Sequence, residues 1–423
     1  MCLRPLYLIR QCEHCDFLED VRPYDNYTHK LVKVPCGKCI ECVRKRQADL
    51  TVRIVTESQN YHTMHFVTLT YDNASVPLAC SLFCNDKDGV YLVQKAQVMP
   101  ETDYVRNLRS VLASLDVDRN GRFLDAPLPM CQGLDGFPYF YRVAMSLNRE
   151  HVKLWLKGCR TSYKREFGRS LPDFKMAWCG EYGSRTARPH YHLLFLGLTD
   201  SQVHWMTDRW SYGFTLWKRC KTESHDKYAV ARYISKYMSK ESEFVANVVK
   251  WGLCQKPRTA VSRYLGYSDR LSRPFFFAYD LFGEYDPQTL ILKKTCQKLS
   301  ASQLDALSLA ISQRLSVFVP GCDYSLPIPI SWLHTVYYKK IKSDAKQTYR
   351  YVPFRIWKIV QENLLSRELV DREREFISFA RSHGDTPLSA VVLRFNASKA
   401  SEAAAREISA RKAEVGFYTS DSF

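Results

Sequence analysis

The chain has no apolar run approaching the roughly 18 residues that a membrane-spanning helix requires, so a spanning segment is not expected. Its opening stretch, Met1 to Arg10, lacks both a continuous hydrophobic core and a small-residue cleavage site, and no secretory signal is expected. There is no Gly-x-x-x-x-Gly-Lys-Ser/Thr loop, so a built-in nucleotide-driven motor finds no support. Acidic residues are scarce relative to basic ones: 44 Asp and Glu stand against 61 Lys and Arg, a formal charge of +17. Such an excess favours a polyanionic partner, nucleic acid first of all. Internal repeats are absent apart from one short tyrosine–lysine doublet described below. Disulfides are also not expected, because the 15 cysteines are an odd number and a chain without a signal stays in a reducing cytosol. Clustered cysteines there read first as metal ligands.

What is present is a globular chain of 423 residues, 46% hydrophobic, long enough for two or three domains. Residues 1–50 form a cysteine-rich head. Cys12-x-x-Cys15 and Cys36-x-x-Cys39 have the spacing of paired zinc knuckles, with Cys2 and Cys42 as alternative ligands for one Zn²⁺. Residues 51–290 carry the motifs, with an insertion at about 74–138 around one short strand, Val90 to Val98. Ser146 or Asn148 can cap a helix whose Val152, Trp155, Leu156 and Cys159 follow i, i+3, i+4, i+7 spacing. Phe174 to Cys179 reads as a strand, Gly180 to Pro189 as a turn and His190 to Leu196 as the returning strand. Helices near Ser201 to Trp210 and from about Asp226 follow. The pattern predicts an α+β fold with helices on one face of a largely antiparallel sheet. Residues 291–423 form a basic region with helices expected at Leu299 to Val317, Pro353 to Leu369 and Ala397 to Val415. Within it, Tyr349 to Lys358 interleaves aromatics with bases. That suits a single-strand-binding surface or the packed face of an amphipathic helix.

Two motifs carry chemistry. In Arg188-Pro189-His190-Tyr191-His192 the strand period of two sends His190 and His192 to one face, half of a metal site. A hard divalent ion, Mg²⁺ or Mn²⁺, prefers an oxygen ligand as well. Glu181, placed where the hairpin turn begins, can be brought beside the histidines by antiparallel pairing. The second motif, Tyr233-Ile234-Ser235-Lys236-Tyr237-Met238-Ser239-Lys240, repeats Tyr-x-x-Lys. At 100° per residue Tyr233 and Tyr237 lie roughly 40° apart on a helix, with Lys236 and Lys240 adjacent. A phenol has an ordinary pKa near 10, so its use as a nucleophile needs help from a metal, a base or lysine charge. Metal-facing histidines followed by lysine-flanked tyrosines are what attack on a DNA phosphate would require.

With these residues assembled, the chain resembles the HUH endonuclease superfamily of rolling-circle replication initiators. Within it, the likeness is greatest to the initiators of microviruses, small single-stranded DNA phages, especially the gokushovirus-like group. The resemblance rests on Pro35 to Cys42, Phe66 to Tyr71, Gly180 to Gly183 with Arg188 to His192, and Tyr233 to Lys240. It implies a ferredoxin-like or RRM-like catalytic sheet and a divalent metal at His190 and His192, with a carboxylate at the Glu181 position. It also implies a nucleophilic tyrosine in the helix of Tyr233 and Tyr237. The implied activity nicks one strand at an origin, leaves a 5′-phosphotyrosine and a free 3′-hydroxyl primer, and later rejoins the strand. Implied partners are single-stranded and origin DNA and host replication proteins including a helicase, in the cytoplasm of a bacterial host and without a membrane. A transposase of the same superfamily, and a non-catalytic zinc-dependent nucleic-acid-binding protein, remain as alternatives.

Overall fold

The computed structural model describes residues 6–11, 29–34, 40–86, 89–114, 123–126, 139–183, 188–237, 254–266, 285–313, 315–343, 348–383 and 387–419. In chain order these begin with strands β1 (Leu6–Gln11) and β2 (His29–Val34), helix α1 (Ile40–Ser58), β3 (Met64–Thr70), β4 (Leu78–Asp86) and β5 (Gly89–Val98). Then come α2 (Asp103–Ser114), β6 (Phe123–Ala126), β7 (Tyr139–Met145), α3 (Arg149–Phe167), β8 (Lys175–Tyr182) and β9 (Pro189–Leu196). After these follow α4 (Asp200–Thr207), β10 (Thr215–Arg219), α5 (Ser224–Tyr237) and β11 (Thr259–Val261). The chain divides into two compact units. One holds residues 50–271 and 318–326, the other 1–49, 272–317 and 327–423. Among the described residues no helix is long and apolar enough to cross a membrane.

The first unit is built on a five-stranded sheet in the order β10-β3-β9-β8-β11, antiparallel at every pairing. Chain order through its centre is β3, α3, β8, β9, α4, β10. Strand alternation fixes two faces. Val67 and Leu69 of β3, Trp178 and Tyr182 of β8, and Tyr191, Leu193 and Phe195 of β9 share a core with Val152, Trp155, Leu156 and Cys159 of α3 and Val203 and Met206 of α4. The expected spacing of α3 is therefore its buried face. Asn148 is its N-cap, accepting the Glu150 N–H at 3.1 Å, and Gly168 ends it at φ +65°. The opposite sheet face is not bare. Tyr233 and Tyr237 of α5 lie against Phe66 and His192 on it. Helices on one face is thus correct for the two crossover helices and needs correction for α5, whose buried Ala231 and Ile234 give it an apolar stripe of its own.

Two further expectations are corrected. The segment at about 74–138 contributes to a four-stranded antiparallel sheet, β5-β4-β7-β6, rather than holding a single strand. Irregular register of β4 against β5 near Cys80 and Leu82 breaks its alternation, so it does not look like a half-buried strand. Strand β8 runs on to Tyr182, so Gly180 and Glu181 belong to the ladder and not to the turn.

In the second unit, β1 pairs antiparallel with β2. Helices Ala301–Gln313, Ile330–Tyr337, Arg355–Arg381 and Leu388–Thr419 flank a hairpin of Tyr338–Ser343 with Thr348–Pro353. Leu307, Ile311, Val336, Tyr337, Ile356, Trp357 and Val360 form its core. The Tyr349–Lys358 stretch is split: its first part is a strand, and Pro353 ends that strand, leaving Phe354 as the helix N-cap. Trp357 turns inward, stacks on Tyr337 at 4.8 Å and donates its indole N–H to the Tyr338 hydroxyl at 2.7 Å.

Candidate metal and tyrosine site

Three strands of the first unit bring the site together by register alone. Glu181 of β8 lies directly across from His190 of β9, and Cys179 directly across from His192. On the other side of β9, Thr70 of β3 faces His190 and Thr68 faces His192. Directly opposed residues share a face, so these six side chains form two rows on one side of the sheet. Glu181, His190 and His192 each offer one ligand atom, all within 4.8 Å of one another, a group that could hold a metal ion. The Glu181 Oε2 atom is 3.2 Å from His192 Nε2 and 3.5 Å from His190 Nε2.

The donor chemistry fits a hard divalent ion. Adjacent ligands on an octahedron with bonds of about 2.1 Å stand about 3 Å apart, close to these two separations. The far nitrogens are also occupied, which sets which nitrogen faces inward. His190 Nδ1 is 3.1 Å from the Arg188 carbonyl, which can only accept, so the proton sits on Nδ1 and Nε2 keeps its lone pair. His192 Nδ1 is 3.2 Å from Thr68 Oγ1. Glu181 and His192 are buried and His190 is partly exposed, so the cluster opens to solvent at the His190 end. Beneath it the Cys179 thiol is fully enclosed. Burial first, and the Glu181 charge second, push its pKa up, which keeps it neutral.

Helix α5 carries the tyrosines onto this face. The Tyr237 ring lies over the His192 imidazole with centroids 4.3 Å apart, and Tyr233 meets Phe66 edge-on at 5.5 Å. The two phenol oxygens are hydrogen-bonded at 2.7 Å. One turn apart on the helix, they behave as a pair with its Tyr237 end at the histidines. The helix is fastened from behind. Buried Lys227 donates Nζ to the Ser58 carbonyl at 2.9 Å, at the end of α1, and Thr51 of α1 donates to Ser235 at 3.0 Å. Desolvation lowers the Lys227 pKa.

Of the residues singled out in the sequence, Glu181, His190, His192, Tyr233 and Tyr237 come together. Lys236 is half-buried on α5 one residue before Tyr237. Lys240 lies outside the described residues, as do Cys2, Cys12, Cys15, Cys36 and Cys39, whereas Cys42 is buried near the start of α1. Tyr191, the middle residue of the His-Tyr-His trio, points to the other face, where its hydroxyl accepts the Asn148 N–H at 2.8 Å. Burial pushes the Tyr191 phenol up to about 12. Sequence reasoning missed Thr68 and Phe66 as neighbours of the histidines. Period-two spacing gives their common face, but only the strand order gives what they face.

No curated protein and no solved structure matches the chain. Residues 140–242 match the family model of the ORF2-type replication-associated protein. This stretch, roughly a quarter of the chain, runs from β7 through α5 and contains Glu181, His190, His192, Tyr233 and Tyr237. Over that stretch the chain is similar to replication-associated proteins.

Proposed function

We propose that the first unit is an HUH-type single-strand DNA endonuclease and strand transferase that initiates rolling-circle replication. The observation that carries this is the contact of Tyr237 with His192, which joins two motifs 45 residues apart into one site. The β-α-β-β-α-β order of the central sheet supports the ferredoxin-like reading. The family match supports DNA replication as the setting. Glu181, His190 and His192 would hold Mg²⁺ or Mn²⁺, which when bound supplies Lewis acidity toward the scissile phosphate.

Tyr237 is the first nucleophile in this reading, because its ring is the one lying on the histidine pair. Its phenol oxygen bonds to phosphorus as the bond from phosphorus to the 3′ oxygen breaks. The departing 3′ oxygen takes up a proton and becomes the primer hydroxyl. The phenol proton passes to the Tyr233 oxygen at hydrogen-bond distance, which releases its own to water. Tyr233 then serves the second cleavage, which frees and rejoins the unit-length strand. Lys236 and Lys240 would neutralise the phosphate at each tyrosine. The N-terminal cysteines are assigned one structural Zn²⁺, with Cys12, Cys15, Cys36 and Cys39 as ligands and Cys2 and Cys42 as alternates. Resemblance to microvirus initiators favours a phage protein working with a host helicase.

The test is a denaturing gel of protein incubated with labelled single-stranded DNA and Mn²⁺. A shifted, protein-linked product that disappears in the double variant Y233F/Y237F supports nicking. Its absence from the wild-type protein across a library of strand sequences overturns the proposal.

A further inference from the structure

Strand β10 lies at the edge of the five-stranded sheet among the described residues, and its outward pattern is unusual. Phe214 is 70% exposed and Leu216 is 71% exposed. Single exposed apolar side chains are ordinary, but these two are neighbours at i and i+2 and therefore share a face. Which face follows from pairing. Phe214 exchanges both backbone hydrogen bonds with Thr70, at 2.8 and 3.0 Å, and Leu216 is paired with Thr68. Thr70 and Thr68 in turn oppose His190 and His192. Phe214 and Leu216 thus stand on the metal-site side of the sheet, two strand spacings or about 10 Å from the histidines. Lys218, exposed and paired with Phe66, continues the same row.

The segment leading into this row is stiffly held. Trp210 donates its indole N–H to the Thr70 carbonyl at 3.1 Å, and the Tyr212 carbonyl accepts the Asp72 N–H at 3.0 Å. Gly213 sits at φ +148°, where an added Cβ would collide with the backbone of Thr70 and Asp72. The Phe214 ring is therefore held out to solvent by a fixed frame. An apolar and aromatic step followed by a cation, on a protein of charge +17, suits an unpaired nucleotide strand better than another apolar protein surface.

We infer that Phe214, Leu216 and Lys218 form a platform on which bases of single-stranded DNA stack beside the metal site, with Lys218 on the phosphate chain. This rests on the nicking reading above and gives that site its preference for unpaired over duplex DNA. Duplex bases are already stacked on each other and cannot lie on Phe214.

The experiment measures binding of the full-length protein to a labelled thymidine oligomer of about 16 nucleotides, and to the corresponding duplex, in EDTA so that no cleavage intervenes. The double variant F214A/L216A should bind the single strand about 5- to 150-fold more weakly, with duplex binding unchanged. Its salt dependence should stay parallel to wild type, whereas Lys218→Ala should flatten the slope of log K against log salt by about 0.7. Phe214→Trp, which keeps a stacking face, should retain affinity. Unchanged melting temperatures check that the variants fold. Wild-type affinity in F214A/L216A overturns the platform, as does equal weakening toward both DNAs. So does conversion of a wild-type dimer to a monomer, because the row would then serve a second copy of the chain. The adduct gel separates this from the nicking reading. Adduct formation with no platform effect removes the platform alone. A platform effect without any adduct removes nicking alone.

Discussion

Replacing Thr68 with valine tests the metal centre through a residue that is itself not a ligand. The substitution keeps the side-chain shape and deletes the Oγ1 atom that lies 3.2 Å from His192 Nδ1. A metal on Nε2 requires the imidazole proton to be on Nδ1, where Thr68 accepts it. Without that acceptor the proton favours Nε2, facing the Glu181 carboxylate at 3.2 Å. The ion must then displace this hydrogen bond and leave Nδ1–H without the threonine. Loss of one buried acceptor costs about 1–3 kcal/mol, which at about 1.4 kcal/mol per tenfold is about 5- to 150-fold in Kd. Calorimetric titration of the full-length protein with Mn²⁺ should show this weakening for Thr68→Val, whereas Thr68→Ser should stay near wild type. Adduct formation should recover at high Mn²⁺, since the nucleophile is intact. Mn²⁺ affinity in Thr68→Val equal to or tighter than wild type would refute the reasoning, and with it the role of Nε2 as the ligand atom.

Three other outcomes are expected. His190→Ala and His192→Ala should each abolish adduct formation while changing single-strand affinity less than about threefold, because the basic surface is untouched; binding and adduct assays on the same preparation check this. Peptide mapping of the wild-type adduct should find DNA on Tyr237 before Tyr233. Tyr233→Phe should still cleave but lose most rejoining, and an adduct confined to a tyrosine outside 228–240 would exclude the pair. Burial, and next the charge of Arg109, hold the His151 imidazole below its ordinary range. The unfolded chain therefore takes up the proton first, so this stability is present above about pH 6.5 and is lost as pH falls toward the folded value. In His151→Gln the drop in melting temperature between about pH 7.5 and 5.5 should be shallower than in wild type.

The histidine pair was readable because period-two spacing survives in any strand. Glu181 was identified as the partner carboxylate, although its place was misread. Gly180 and Gly183 resemble the start of a turn, yet the ladder continues through Tyr182 because its flanking side chains pack into the core. The tyrosine helix was legible from its spacing, but its contact with the histidines is a long-range fact that no window of sequence contains. Strand β10 was missed altogether. Thr215 to Arg219 is short, lies at an edge and exposes its leucine, so its apolar residues do not mark the buried side as they do in β9. In β4 the irregular register hid the alternation. Neither the pairing of Thr68 with His192 nor the stacking of Tyr237 on it could be found without the strand order.

The fastening of α5 to α1 has a consequence for which changes this chain can tolerate. Lys227 and Ser235 fix the helix's rotation about its own axis, and each residue advances that rotation by about 100°. Inserting or deleting one residue between Lys227 and Tyr233 would leave the helix intact and the Lys227 anchor in place. It would nevertheless turn both phenols away from His192 by more than a quarter of a circle. Substitutions on the outward side, such as at exposed Arg232, leave that phase alone. The segment should therefore accept many changes of residue and none of length, a constraint that is counted in spacing and not in identity.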